Sequence, residues 1–396
     1  MTAKHPVLRL KAREGRRARS GAPWIFSNEI ALDAGAKSIS PGCLVEVRGD
    51  DGRSFGLGYF NPGSLIAVRL LDTPAVAEVD RRFFADRISR ALHLRNTLFA
   101  EPYYRLVHAE GDRLPGLVID RFGKTCTVQI TTSGMEQLLE PIVQALDDVL
   151  APENVVLRAD SPARSQEGLS SYVRIAKGVP PEHVAIEENR ARYFVNALGG
   201  QKTGWYFDQR DNRAFMASLA RNRSVLDVYC HAGGFAVLVA RAGARDVYGI
   251  DSSAAALSLA EESAAANGAS GACRFIKADA SEELERLGAI EERFDMVICD
   301  PPPFVKSRRD LEAGARAYRK LARLAARVVS PDGFLLLATC SHNMPADRFQ
   351  FECAGGIARA GRSSSLIHAS GAGPDHPIHP MLPETAYLKA LVYAVD

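Results

Sequence analysis

No two cysteines in this 396-residue chain stand in a C-x-x-C pair. G-x-G-x-x-G and a lysine-bearing P-loop are also missing, and no apolar run approaches the roughly 18–20 residues a membrane helix needs. The seven cysteines (Cys43, Cys126, Cys230, Cys273, Cys299, Cys340, Cys353) are scattered and odd in number. That usage excludes a disulfide framework and a thiolate zinc site, and it fits a reducing cytoplasm. The basic N-terminus is followed by no apolar segment, so neither a secretory signal nor a membrane partner is expected. His376 and His379, in "DHPIHP", are flanked by prolines with no evident third ligand, so no metal is expected either.

The composition, 46% hydrophobic and 24% charged, is that of a globular protein, and the length asks for two or three domains. A net charge of +2 says little, but residues 1–20 hold Lys4, Arg9, Lys11, Arg13, Arg16, Arg17 and Arg19 against the single acid Glu14. Such a cluster attracts phosphate backbones; a solvated terminus reads equally well.

Three regions follow from the patterning. Residues 1–75 carry short β-type runs broken by glycine, and Leu44–Arg48 followed by Asp-Asp-Gly predicts a hairpin in a small β-barrel. Residues 76–185 are mixed: Phe83, Phe84, Ile88 and Leu92 fall at helical spacing, "LPGLVIDRFGKTCTVQI" predicts another hairpin, and "GVPPEH" (178–183) reads as a linker. Residues 186–396 alternate strands and helices, which predicts a mostly parallel sheet. Strands are expected at 224–230, 246–251, 273–279 and 294–300, at the apolar run after Gly333, and at 365–370 and 386–395.

The first of these strands ends in "DVYCHAGGF", with Asp227 inside it and Gly233 and Gly234 opening a helix, so that backbone can pass close to a ligand. Asp251, Asp279 and Asp300 then close successive strands. Carboxylates lining one crevice suit hydroxyls, an amine and an ammonium and repel phosphate, which favours S-adenosylmethionine over a dinucleotide. Each acid, taken singly, is also an ordinary helix cap. In "DPPPFVK", Asp300 or nearby carbonyls can bond to a base edge, the prolines stiffen the chain, and Phe304 can offer a ring for stacking.

"GFLLLATCSHNM" (333–344) sets Cys340 where a buried strand meets polar chain. Carbon 5 of cytosine is a poor nucleophile, and adding a thiolate at carbon 6 activates it, a form of covalent catalysis. His342 and Lys306 are candidate sources of positive field for such a thiolate. Cys299, inside "MVIC", reads as packed, and Cys230 is the second candidate.

"GGQKTGWYFDQRDNR" (199–213), "DVYCHAGGF", "DPPPFVKS", "ATCS" and "PDHPIHP…LKALVY" together resemble the ribosomal RNA large-subunit methyltransferase I family. "GAPWIFSNEI" and "GLGYFNPGSLIAVRLL" are similar to its N-terminal PUA domain. The resemblance implies an α/β fold: a PUA domain, a central α/β domain and a C-terminal Rossmann-like class I methyltransferase. It implies S-adenosylmethionine as cofactor, 5-methylcytosine in 23S rRNA as product, ribosomal RNA as partner and dimers among relatives. It further implies Cys340 as nucleophile, Asp300 beside the methionine moiety and target base, Asp251 at the ribose and Asp279 at the adenine. Lys202, Asp208, Gln209 and Arg210 would wall the cofactor site together with Asp227, Gly233, Gly234 and Pro301. Pro302, Phe304 and Lys306 would meet the substrate. Pro303 departs from the lysine or threonine of relatives. Two other readings stand beside this one: a purine N-methyltransferase, which needs no cysteine, and an RNA-binding assembly factor with a vestigial methyltransferase fold.

Overall fold

The computed structural model describes residues 5–72, 74, 78–200 and 203–396. The chain divides into two compact units, one of Met1–Val184, Asn196–Trp205 and Pro374–Thr385, the other of Ala185–Val195, Tyr206–Gly373 and Ala386–Asp396. Lys4 and Lys202 lie outside the described residues.

The first unit opens with β1 (Val7–Arg9), α1 (Arg16–Arg19), β2 (Trp24–Ile25), α2 (Ala34–Lys37), β3 (Cys43–Arg48), β4 (Ser54–Phe60) and β5 (Val68–Leu70). The strands form one five-stranded sheet in the order β1-β3-β4-β5-β2. The expected hairpin is β3–β4, turned by Asp50-Asp51-Gly52, with Gly52 at φ 78° and the Asp51 carboxylate accepting from the Arg53 amide at 3.0 Å. Alternation sends Val45 and Val47 inward onto Leu8, Leu10, Phe60 and Val68.

Next come α3 (Arg81–Leu98), β6 (Tyr103–His108), β7 (Leu117–Phe122), β8 (Thr125–Ile130), α4 (Ser133–Gln137), α5 (Leu139–Leu150), β9 (Asn154–Ala159), α6 (Ala163–Gln166) and β10 (Tyr172–Lys177). Their sheet runs β10-β9-β8-β7-β6, and the second expected hairpin is β7–β8. Asp80 caps α3 through the Phe83 amide at 2.9 Å, and Phe84 and Ile88 are buried on the face the spacing marks. The buried Arg95 is held by both oxygens of Asp112 at 2.6 and 2.7 Å and donates to the Asp375 carbonyl at 2.9 Å. Thr203 donates to Asp120 at 2.5 Å. These bonds tie the two late segments of the unit to α3 and to β7. Residues 178–183 carry neither helix nor strand.

The second unit contains β11 (Val184–Glu188, of which Val184 is in the first unit), β12 (Ala191–Val195), α7 (Arg210–Leu219), β13 (Ser224–Val228), α8 (Gly234–Arg241), β14 (Asp246–Asp251), α9 (Ala254–Ala266) and β15 (Cys273–Lys277). It continues with α10 (Ala280–Ala289), β16 (Phe294–Cys299), α11 (Leu311–Arg327), β17 (Val329–Thr339), α12 (Ala346–Arg359), β18 (Ser364–Ser370) and β19 (Lys389–Val395). Seven strands form one sheet, β15-β14-β13-β16-β17-β19-β18. The first five are parallel, and β19 runs antiparallel to both β17 and β18. Chain order reverses between β13 and β16, and a crevice for a ligand opens at the C-terminal ends of such strands.

Two residues shape this edge from beneath. Asp227, buried inside β13, accepts from the Ala236 amide of α8 at 2.9 Å and so ties the helix start to the strand. Burial, reinforced by the charges of Asp300 and Asp251, pushes its carboxyl up to about 7. On α11, Gly314 lets the helix approach the chain after β16: a Cβ there would lie 2.4 Å from Val305 Cγ2 and 2.8 Å from the Phe304 carbonyl oxygen.

Gly314→Ala should therefore destabilise the protein by about 1–3 kcal/mol despite its better helix propensity, as read by urea unfolding; an unchanged midpoint would refute the close approach. For Asp227 the sign follows from the raised carboxyl. The folded chain holds a proton that the unfolded chain releases near pH 3.9, so the group's contribution is complete below about pH 4 and is lost as pH rises through about 7. Asp227→Asn should match wild type near pH 4 and gain on it by an amount on the order of a few kcal/mol by pH 8; parallel stability curves would refute this.

Candidate active site

After β13 the backbone makes a strained loop. Tyr229 (φ 65°), His231 (φ 49°) and Gly233 (φ 76°) all take the left-handed region, where only glycine is at ease. Gly234 is also sterically fixed, since a Cβ there would lie 2.6 Å from Arg213 Nε. Asp251, at the end of β14, holds the loop: one carboxylate oxygen accepts from the His231 amide at 3.0 Å, the other from the Ser253 amide at 2.9 Å. Asp279 is exposed and caps α10 through the Ser281 and Glu282 amides at 2.8 and 3.1 Å.

The segment before α7 supplies the other wall. The Tyr206 ring meets His231 edge-on at 5.3 Å. Burial raises the Tyr206 hydroxyl well above its ordinary pKa, and the charges of Asp300, Asp208, Cys340 and Asp251 add to the effect. Asp208 is buried and accepts from the Tyr387 hydroxyl at 2.5 Å, while its carbonyl accepts from Gly373 at 3.2 Å. Gln209, also buried, accepts from Asn212 at 2.6 Å. The Arg210 guanidinium lies 5.3 Å from the Phe207 ring centroid and 3.9 Å from Glu188. Asp208 thus stands among the crevice acids, whereas the contacts of Gln209 and Arg210 run to α7 and to β11.

Parallel pairing of β16 with β17 brings their ends side by side, Cys299 opposite Leu337. Asp300 is half-buried, Pro301 buried, and Pro302 and Lys306 exposed. The half-buried Phe304 ring rests on Tyr318, with centroids 4.7 Å apart. Cys340 follows β17 and is half-buried. Its flanking residues are gathered by the Tyr318 hydroxyl of α11, 2.6 Å from Thr339 Oγ1 and 2.9 Å from Ser341 Oγ. The same hydroxyl accepts from the Phe304 amide at 3.2 Å, and Ser341 Oγ accepts from Val305 at 3.3 Å. The loops carrying Asp300 and Cys340 are thereby joined.

Cys340 and Cys43 are half-buried, and the other five cysteines are buried. Burial pushes the Cys126 thiol up to about 12 and Cys273 to about 11, and raises Cys230, Cys299 and Cys353 as well. Cys230, the second candidate, is 4% exposed. His342 is exposed and stacks on Tyr387 at 5.1 Å, and the Lys306 carbonyl accepts from Asn343 at 3.2 Å. Among the described residues no three His, Cys, Asp or Glu side chains are grouped to hold a metal, and no helix is long and apolar enough to cross a membrane.

Sequence reasoning missed Tyr206, Tyr318 and Lys389. Tyr206 stands in the quoted "GWYFDQR", where three consecutive aromatics directly ahead of Asp208 are the available signal. Tyr318 sits on the apolar face of α11 and reads as core until its hydroxyl finds partners. Lys389 heads β19 directly opposite Thr339, a pairing across fifty residues.

The family model for an S-adenosylmethionine-dependent methyltransferase matches residues 165–394, and that for a PUA-like domain matches residues 8–73. The chain is 36% identical to ribosomal RNA large subunit methyltransferase I of Pseudoalteromonas atlantica, over 94% of this chain and 95% of that protein. It is 34% identical to the protein of the same name from Shewanella denitrificans, over 98% and 100%. Among solved structures, a Streptococcus mutans protein described as a SAM-dependent methyltransferase superposes with a TM-score of 0.83 at 19% identity, covering 98% of this chain and 99% of its own. A methyltransferase structure in complex with SAH gives 0.84 over the same shares, also at 19% identity. The likeness of these structures lies in the fold. With an S-adenosylmethionine-dependent methyltransferase domain on a mostly parallel sheet and a PUA-like domain ahead of it, this chain belongs to the ribosomal RNA large subunit methyltransferase I family.

Proposed function

We propose that this protein methylates carbon 5 of a cytosine in large-subunit ribosomal RNA, with Cys340 as a transient covalent nucleophile. The observation that carries the reading is the position of Cys340: a half-buried thiol one residue beyond β17, on the strand next to the one that ends at Asp300, and felt with Asp300 by the same Tyr206 phenol. The rRNA substrate is drawn from the name of the relatives and accords with the PUA-like domain.

The donor groups fit the cofactor. Asp251 reaches the crevice beside the strained Gly-Gly loop, and Asp208 and Asp300 add carboxylates around Tyr206, a set that accepts from hydroxyls, an amine and an ammonium. When bound, S-adenosylmethionine supplies an electrophilic methyl group and leaves as S-adenosylhomocysteine. Gly233 and Gly234 let the backbone come close; Asp279 and Pro301 border the same strand ends, with Lys202, Gln209 and Arg210 assigned to the wall by the family resemblance. Asp227 acts beneath, by holding α8 to β13.

The Cys340 thiolate attacks carbon 6 of the base, forming an S–C6 bond and moving the C5–C6 π pair onto carbon 5. That pair takes the methyl group as its bond to the sulfonium breaks. A base removes the C5 proton, the C5–C6 double bond re-forms, and the thiolate is expelled. Asp300 accepts from the ammonium of the donor or the amine of the base. Pro302, Phe304 and Lys306 stand on the substrate side, where the exposed Lys306, Arg308 and Arg309 suit phosphates of a single-stranded segment.

Cys340→Ala should retain S-adenosylmethionine binding by titration calorimetry and lose methylation of rRNA by at least about 10³-fold, with 5-methylcytosine read by nucleoside mass spectrometry. Near-normal rates would refute the adduct and favour nitrogen methylation of a purine. Loss of cofactor binding in the wild-type chain would favour the vestigial fold.

A further inference from the structure

The C-terminal strand brings a cation to the mouth of β17. Lys389 stands opposite Thr339 in the antiparallel ladder. Its ammonium is fixed by two carbonyl oxygens, that of Ser341 at 3.2 Å and that of Tyr387 at 3.0 Å. Thr339 and Ser341 are the immediate neighbours of Cys340, so the lysine spans the residue that separates them. Both flanking hydroxyls are occupied by Tyr318, and Tyr387 is held in turn by Asp208. Lys389 is therefore a half-buried side chain with a built anchorage.

We propose that Lys389 is a positioning residue for Cys340, holding a positive charge across the end of β17 so that the sulfur ionises before the target base arrives. This rests on the reading of Cys340 as the nucleophile. The sequence offered His342 and Lys306 for that service. His342 is exposed with its ring stacked on Tyr387, and Lys306 is exposed on the neighbouring loop, where water screens its charge.

The charges that face the sulfur are mixed. Tyr206, ahead of α7, and Asp300, after β16, lie in one electrostatic neighbourhood with it, and Asp208 and Asp251 face the same phenol. Tyr318 of α11 binds both residues that flank the sulfur, and Cys340 is among the charges that raise its hydroxyl. The carboxylates oppose ionisation of the thiol, and Lys389 opposes them. Burial lowers the Lys389 ammonium below its ordinary pKa, and the neighbouring Cys340 offsets part of that shift. On ionisation the thiol proton passes to solvent and the ammonium keeps its own three.

The test is the pH profile of Cys340 alkylation by iodoacetamide in the full chain without cofactor, read by peptide mass spectrometry so that Cys43 is counted separately. Lys389→Gln should move the profile upward by about one pH unit, which is about tenfold slower alkylation at pH 7, while Lys389→Arg should keep the wild-type profile. An unmoved profile in Lys389→Gln overturns the proposal. Equal displacement in both variants also overturns it, because the backbone anchorage and not the charge would then matter. If Lys389→Gln fails to fold, the wild-type profile decides: a midpoint below the ordinary thiol value of about 8.5 supports the proposal, and one at or above it overturns it. Alkylation needs no methyl transfer, so these outcomes are separate from the activity of Cys340→Ala, on which the nucleophile reading stands or falls.

Discussion

The hydroxyl of Tyr318 carries an uncommon share of this site. Parallel pairing places β16 and β17 side by side, but the ladder ends at Cys299 and Leu337. After Cys299 and after Thr339 the chain is coil, and coil wanders unless its polar groups are tied down. One buried phenol on α11 meets Thr339, Ser341 and the Phe304 amide, and Ser341 in turn takes the Val305 amide. Two separate strand ends thus become one rigid rim. Each such bond contributes on the order of 1 kcal/mol, modest for stability, yet the loss of any one leaves a buried polar group without its partner. Gly314 serves the same rim, since only a residue without a side chain lets α11 lie against this loop.

The acids at the strand ends look alike in sequence and do different work. Asp227 is buried and spends its carboxylate on the start of α8; Asp279 is exposed and caps α10; Asp251 spans the Gly-Gly loop and its own following turn. Capping and ligand binding use the same chemistry, a carboxylate accepting from N–H or O–H, so residue type alone cannot separate them. A carboxylate oxygen can accept more than one hydrogen bond, so an acid that holds a loop at the strand ends, as Asp251 does, can also serve the ligand role proposed for it, while the buried Asp227 is a support.

Much of the second unit was legible because its strands are short apolar runs closed by glycine, aspartate or proline, and its helices are alanine-rich with regular spacing. The expected strands at 246–251, 294–300 and 365–370 differ from the observed ones by a residue at most. The position of Cys340 at a strand mouth was equally local. What stayed hidden depends on distant pairing. Lys389 meets Thr339 only because β19 turns back antiparallel beside β17, and Tyr387 meets Asp208 from 179 residues away. The segments Asn196–Trp205 and Pro374–Thr385 pack with the first unit through Thr203 and Asp375, and the partners Asp120 and Arg95 carry no local sign of it.

That dependence on distant pairing bears directly on the nucleophile proposed at Cys340. Five other thiols in this chain are raised chiefly by burial and further by nearby carboxylates, which favours the neutral form and leaves them inert. A nucleophile needs the opposite: access to the crevice, and positive charge near enough to offset the carboxylates that a sulfonium cofactor requires. For the proposed nucleophile Cys340, the antiparallel β19 serves the second demand: its first residue supplies an ammonium, and Tyr387 just ahead of it engages Asp208. In a sheet that is otherwise parallel, this reversal is the economical way to bring a late segment of chain to the C-terminal edge, where each parallel strand would have to arrive from the far side and end instead of begin.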